Sequence, residues 1–307
     1  MAATNSNSES VQKPSFETFQ LFSSTASSGF GVFDDPAQQA PSIPPPPCVE
    51  VLPSEVNPSV NHSAESVNLD GIALLKGRVN TQQVFGLSNS DLVPGKYEGG
   101  LKLWEGSLDL IKALSSDMKS GLMSFSGKRV LELGCGHGLP GIFALLEGAA
   151  AVHFQDFNAE VLRCLTIPNL NANLSNKSHL SSSNLTNCDK TDVRFYAGDW
   201  SEVDKLLPYV TTHVKDNQDA GYDFILMAET VYSINSLQNL YNLIKKCLQH
   251  PDGAVYFAAK KYYFGVGGGT RRFLSVVEKD GMMNSSLVAE ITDGSSNVRE
   301  VWRLKLK

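Results

Sequence analysis

The sequence predicts an α/β fold: a doubly wound, Rossmann-like sheet of seven strands, mostly parallel, with an antiparallel final strand and helices on both faces. Three observations predict it. From about residue 67 onward, short apolar runs alternate with segments of helical periodicity, the pattern of strand–helix–strand units around a parallel sheet. A glycine-rich turn, Gly134-Cys-Gly136-His-Gly138, stands between one such run and the helical pattern after it. Two apolar runs close the chain with Gly294-Ser-Ser between them, which adds an antiparallel edge.

The elements follow in order. Residues 104–114 carry apolar side chains at 104, 108, 111 and 114, one face of a helix. Residues 129–133 read as a buried strand, and 140–147 as a helix whose first turn tolerates Pro140. A second strand is expected at 152–155 and a helix at 159–171. Residues 174–191 are rich in Ser and Asn and read as a surface insertion. Further strands are expected at 193–196, 222–228 and 254–259, with helices at 236–248 and 271–279. The closing strands are 287–291 and 299–306.

Of 307 residues, 42% are hydrophobic and 19% charged, enough for a substantial core. The net charge of −6 falls within residues 1–66, which hold one basic and seven acidic residues. The neutral remainder lacks the broad basic surface of a nucleic-acid binder, so no sequence-specific nucleic-acid contact is expected. Residues 1–66 also hold nine of the fourteen prolines and thirteen serines. Such a segment buries too little apolar surface to offset its ordering entropy and reads as a disordered tail. Residues 49–56 are its one stretch with apolar side chains able to dock on the domain. The domain itself is read as 67–307.

Five cysteines without a CxxC pair fit reduced thiols inside a cell and argue against a metal site. No apolar signal core or membrane-spanning run is present, which points to cytosol or nucleus. Nothing in the sequence suggests more than a monomer.

Four clusters carry chemistry. The first is Glu132-Leu-Gly134-Cys-Gly136-His-Gly138, after a strand and before a helix. Glycines let backbone approach a ligand closely, and the helix start offers unpaired N–H groups. Dinucleotide folds place the third glycine one residue later, where this chain has Leu139. The tighter spacing looks like the first motif of class I methyltransferases, where the turn receives the methionine part of S-adenosylmethionine. The second cluster is Phe154-Gln-Asp-Phe-Asn158, whose Asp156 can accept from ribose hydroxyls. The third is Gly198-Asp199-Trp200, placed to grip adenine; the alternative is a helix start capped by Asp199. The fourth is Glu229-Thr-Val-Tyr232. There Glu229 either orients an incoming imidazole or caps a helix, and Tyr232 either lines the acceptor pocket or packs at the helix start. His137 and His153 read as a loop residue and a packed strand residue.

Together with Ser90-Asp-Leu-Val-Pro-Gly-Lys-Tyr-Glu-Gly-Gly-Leu-Lys-Leu-Trp-Glu105 and Lys260-Lys-Tyr-Tyr-Phe-Gly-Val-Gly-Gly-Gly269, these clusters resemble the protein-histidine N-methyltransferases. That group lies within the seven-β-strand methyltransferases of protein lysine and histidine. The resemblance spans most of residues 67–307. It implies S-adenosylmethionine as cofactor, held by Leu103, Trp104, Glu105, Gly106, Ser107, Gly134, Gly136, Gln155, Asp156, Phe157, Gly198, Asp199, Trp200 and Ala228. Positions 106 and 228 depart from it, with Gly and Ala where Cys or Ser is expected. It also implies a protein substrate, a histidine of a large-subunit ribosomal protein. Catalysis is expected to rest on Glu229 and Tyr232, with a mobile aromatic and glycine lip at 262–269. Lys260, Lys261, Arg271 and Arg272 flank that lip, either to meet acidic substrate or RNA phosphate or as solvated surface charge. Two rival readings stand: a protein-lysine methyltransferase of the same fold, and a non-catalytic S-adenosylmethionine-binding factor in ribosome assembly.

Overall fold

A computed structural model of the protein describes residues 45–57, 63–88, 90–180, 191–210, 221–292, 294 and 297–307. Strand β1 (Val49–Val51) comes first, then a hairpin of β2 (Ser63–Leu69) and β3 (Ile72–Arg78), and the short helix α1 (Thr81–Phe85). Helix α2 (Glu105–Lys119) leads to β4 (Arg129–Leu133), α3 (Leu139–Leu146) and β5 (Ala151–Asp156). Helix α4 (Ala159–Val161) continues through a π-helical turn, Leu162–Thr166, into α5 (Ile167–Leu180). Then come β6 (Asp192–Ala197), β7 (Phe224–Ala228), α6 (Leu237–Cys247), β8 (Ala254–Lys260), α7 (Thr270–Asp280), β9 (Met283–Ile291) and β10 (Arg299–Leu306).

The large sheet has the order β1-β6-β5-β4-β7-β8-β10-β9. Strands β6, β5, β4, β7 and β8 pair in parallel, and β10 inserts antiparallel between β8 and β9. Central strands are covered on both sides, so β4 and β8 are buried at almost every position, and β8 is apolar up to Lys260. Side chains nevertheless alternate between two cores. Val130, Leu226 and Tyr256 meet α2, α3 and α5 through Leu114, Phe143 and Leu170. Leu131, Ile225 and Val255 meet α6 and α7 through Leu240, Ile244 and Phe273. Each such fully buried side chain contributes about 1.5–3 kcal/mol over exposure. Helix α2 carries Glu105 in its first turn and Lys119 in its last, each at the dipole end that favours it.

The structure departs from the sequence reading in five places. The sheet has an eighth strand: β1 pairs antiparallel with β6, Val51 opposite Phe195, and Val51 is buried. Packing therefore begins well before residue 67, within the segment assigned to the tail; residues 1–44 lie outside the described residues. Hairpin β2–β3 forms a second sheet that straddles the same boundary. Its turn, Asp70-Gly71, has φ of 50° and 94°, the double left-handed conformation that Asp-Gly favours in tight hairpins. The hairpin is fixed to α5, where Asn169 Oδ1 accepts from Gly77 N at 2.5 Å and Asn173 Oδ1 from Leu75 N at 2.8 Å. Helix α5 runs on to Leu180 through the start of the expected insertion, of which 181–190 lie outside the described residues. Strand β9 starts at Met283 rather than 287, and β7 at Phe224 rather than 222.

On β5, His153 is wholly buried as expected, stacked on Tyr209 with ring centroids 5.4 Å apart. Its Nδ1 meets the Tyr222 hydroxyl at 2.8 Å and its Nε2 meets Asp192 Oδ2 at 3.2 Å. Burial pushes its pKa down to about 4, against the opposing pull of Asp192. The ring is thus neutral at neutral pH, and its bond to Asp192 is not an ion pair. A histidine depressed in this way contributes stability that is present above the unfolded value of about 6.5 and lost as the pH falls towards the folded value. The advantage of the wild type over His153→Gln in urea unfolding should therefore shrink by about 3 kcal/mol between pH 7 and 4. Taking the difference cancels the carboxylates that titrate over the same range, and a pH-independent advantage contradicts the assignment.

Candidate active site

Because the five central strands are parallel, the segments after β4, β5, β6 and β7 emerge at one edge of the sheet, where doubly wound folds take their ligands. After β4, Gly134 and Gly136 have φ of 61° and 50°. A Cβ at Gly134 would sit 2.7 Å from Thr230 Cγ2, and one at Gly136 would sit 2.9 Å from the carbonyl of Gly100. Neither backbone angle nor space admits a side chain. Glu132 accepts from Gly141 N at 2.8 Å, which fixes α3 behind the turn.

Gln155 and Asp156 lock the turn from β5. Gln155 Oε1 accepts from Gly134 N at 3.2 Å and from Trp200 Nε1 at 2.9 Å, while its Nε2 donates to Gly198 O at 2.9 Å. Asp156 Oδ2 accepts from Gly136 N at 2.9 Å and Oδ1 from Asn158 N at 3.0 Å. Burial raises the Asp156 pKa to about 6 against those two bonds.

The resulting cleft encloses about 1080 Å3, counting its open mouth. On its wall are Trp104, Ser107, Gly134, Gly136, Asp156 and Phe157. Gly198, Asp199, Trp200, Ala228, Glu229 and Tyr232 complete the expected set there. Four other expected residues stand off the wall. Gln155 is buried behind it. Leu103 packs on the hydrophobic core, and Glu105 is exposed on the first turn of α2. Gly106 abuts Glu229, whose Oε1 would lie 2.8 Å from a Cβ at that position. Gly at 106 is thus what lets α2 approach this carboxylate. Asp199 lines the cleft, and its Oδ1 accepts from Ser201 N at 2.9 Å, a local turn contact rather than the cap of a helix.

Glu229 has φ of 57°, an unusual left-handed angle for a side-chain-bearing residue, held by its N–H donating to Ala258 O at 2.8 Å. Its Oε2 accepts from the Tyr263 hydroxyl. Its Oε1 is enclosed and has no hydrogen-bond partner among the described residues. Burial raises its pKa, with Tyr263 and Lys260 opposing. Tyr232 donates its hydroxyl proton to Glu98, which also lines the cleft.

Glu98 belongs to a wall segment that the sequence reading quoted but left without a role before Leu103. Trp104 Nε1 donates to Gly99 O at 3.0 Å, Lys102 pairs with Asp91 at 2.5 Å, and Glu98 N donates to Asn158 Oδ1 at 3.1 Å. A Cβ at Gly100 would sit 3.0 Å from Asp156 Oδ2. The Gly99-Gly100 pair ahead of a tryptophan was the available signal. Cys135, His137 and Thr230 also line the cleft. His137 Nε2 lies 3.2 Å from Leu101 O, consistent with a structural loop role.

The segment after β8 is tied down rather than free. Gly268 N donates to Tyr232 O at 3.0 Å and Gly269 N to Val231 O at 2.8 Å, so these glycines serve close backbone approach. Phe264, at 76%, and Tyr262, at 49%, are exposed in this segment. Arg271 and Lys261 lie 2.5 and 3.6 Å from Glu300, a fully buried carboxylate. Both are thus paired with the framework. Among the described residues no group of three or more His, Cys, Asp or Glu is placed to hold a metal.

The wall suits a long polar ligand with hydroxyl donors and an aromatic base. It offers Asp156 as acceptor, Trp200 as a flat partner, and a glycine cradle that any Cβ would fill. Residues 95–280 match the family model described as lysine methyltransferase. The histidine protein methyltransferase 1 homologue of Dictyostelium discoideum is 42% identical over 221 residues, covering 72% of this chain and 62% of that protein. The Mus musculus homologue is 37% identical, covering 67% of this chain and 57% of that one. The chain spans about three fifths of the length of these curated relatives. A solved magnesium protoporphyrin IX methyltransferase from Synechocystis, with SAM bound, aligns at TM-score 0.40 and 11% identity, over 66% of this chain and 79% of that one. With 95–280 matched and 72% of its length shared with a relative at 42% identity, the chain belongs to the methyltransferase family described as lysine methyltransferases, in which these relatives bear the name histidine protein methyltransferase.

Proposed function

We propose that the protein transfers a methyl group from S-adenosylmethionine to a ring nitrogen of a histidine in a protein, with a large-subunit ribosomal protein as the substrate. The observation that carries this reading is the 42% identity to a histidine protein methyltransferase homologue over 221 residues, 72% of this chain. The ribosomal substrate rests on the family resemblance of the sequence. Cytosol or nucleus is the proposed location, on the same sequence grounds.

Bound S-adenosylmethionine supplies a methyl group on a sulfonium, an electrophile with a good leaving group. Asp156 would take its ribose hydroxyls, the Gly134–Gly136 turn its amino-acid part, and Asp199 with Trp200 its base. The chain's own task is then alignment and exclusion of water. A histidine side chain, with an unperturbed pKa of about 6.5, already offers a bare nitrogen at neutral pH. A lysine, at about 10.4, would need a base to take its proton. The carboxylates nearest Tyr232 each accept a tyrosine proton, Glu98 from Tyr232 and Glu229 from Tyr263. That arrangement favours positioning over proton removal. Glu229 holds Tyr263 and the left-handed turn that carries Tyr232.

Incubation with radiolabelled S-adenosylmethionine and lysate from cells lacking the enzyme, followed by amino-acid analysis, tests the reading. Label in methylhistidine supports it, and label in methyllysine overturns it. Glu229→Gln should slow transfer by about tenfold, or about 1.4 kcal/mol, at normal cofactor affinity. Unchanged turnover would remove Glu229 from the mechanism. The Asp156 carboxylate accepts best when ionised, so calorimetric affinity for S-adenosylmethionine should fall as the pH drops through about 6. Asp156→Asn should bind more weakly at neutral pH and lose that step; the same pH dependence in the variant would place the titration elsewhere.

A further inference from the structure

Tyr232 lies on the wall of the cleft, and its single hydroxyl proton is committed to Glu98. A phenol has one proton and two lone pairs. With the proton engaged, the Tyr232 oxygen can only accept from anything that enters. Glu98 is held in place: its Oε1 accepts from Gly95 N at 2.7 Å and its own N–H is given to Asn158 Oδ1 at 3.1 Å. Asn158 in turn donates through Nδ2 to Lys96 O at 2.9 Å. Glu98 is only half-buried, so it lies near solvent. The other cleft carboxylate is less available. Glu229 is 7% exposed, with Oε2 on Tyr263 and Oε1 enclosed against Gly106. Tyr232 thus lines the cleft with its hydroxyl anchored by Glu98.

We propose that the Tyr232–Glu98 pair is the device that selects which ring nitrogen is methylated, by accepting the N–H of the other. The inference rests on the histidine reading above and deepens it. A neutral imidazole carries one N–H and one bare nitrogen. Fixing the N–H at Tyr232 turns the bare nitrogen towards the far side of the ring. The lone pair of that nitrogen forms the new N–C bond as the methyl carbon's bond to sulfur breaks, with its electron pair remaining on sulfur. The ring takes up the positive charge that the sulfonium loses. Its remaining N–H then becomes a stronger donor, facing an oxygen whose own proton is given to Glu98, so the bond tightens as charge develops. The proton leaves for solvent afterwards, which returns a neutral N-methylhistidine. Tyr232 is the catalytic residue here, and Glu98 a positioning residue that acts through it.

The test compares wild type, Tyr232→Phe and Glu98→Gln on lysate proteins from cells lacking the enzyme, with hydrolysis and separation of the two N-methylhistidine ring isomers. Wild type should yield one isomer. Both variants should yield a mixture, with kcat reduced roughly tenfold or more and calorimetric affinity for S-adenosylmethionine within about twofold of wild type. Isomer mixing is a readout that a merely loosened fold does not produce. Glu98→Gln, at a half-buried position, guards against the case in which Tyr232→Phe disturbs the core. If wild type gives methylhistidine and both variants keep one isomer, the pair does not orient the ring and this inference alone fails. If the variants lose cofactor affinity instead, the pair belongs to the cofactor wall and the inference is overturned. Methyllysine from the wild type would sink the histidine reading and this inference with it.

Discussion

Gln155 and Asp156 are neighbours at the end of β5, so their side chains leave opposite faces of the strand. Between them they hold both sides of the glycine turn, the loop after β6 and the indole of Trp200. Two loops that have little apolar surface of their own are thereby referred to one buried strand end. The rigidity of the cleft depends on this pair more than on any contact inside the loops. A carboxamide is the appropriate group at 155 because it must donate to Gly198 O while accepting from Gly134 N and Trp200. A carboxylate there could do only half of that.

The same edge concentrates buried acids. Glu132, Asp156 and Glu229 are all at most 7% exposed, and burial raises each of their pKa values. Burying such groups is unfavourable unless donors surround them. Glu132 and Asp156 have backbone N–H groups, whereas one oxygen of Glu229 has none. The strand end after β7 is accordingly a strained part of the wall, with its left-handed residue at the same position. Framework energy from the two cores tolerates that strain, as functional sites commonly require.

Much of this arrangement was legible in the sequence because the physics was local. Continuous apolar runs could only be strands covered on both faces, and Gly134, Gly136 and Asp156 sit where a parallel sheet must expose its ligand edge. What escaped was non-local or quiet. β1 is three residues long, and its one buried side chain, Val51, gains meaning only against β6. β2 is polar and mostly exposed, so no alternation marks it, although Asp70-Gly71 announced the hairpin turn. Glu98 is separated from Tyr232 by 134 positions, and no periodicity reports such a pairing. The glycines at 268 and 269 read as a sign of mobility, yet they permit a tight approach to the carbonyls of Tyr232 and Val231.

Strand β1 also bears on what happens between molecules. Without it, β6 would present a row of open N–H and C=O groups, the kind of border onto which a foreign strand can add. β1 covers that border for three residues, and Glu55 pins the segment after it through Arg163 at 2.7 Å. The new outer border is short and follows Pro45, Pro46 and Pro47, whose nitrogens have no hydrogen to give. Among the described residues, a brief strand behind a proline run therefore ends the sheet on this side and leaves little for another chain to extend.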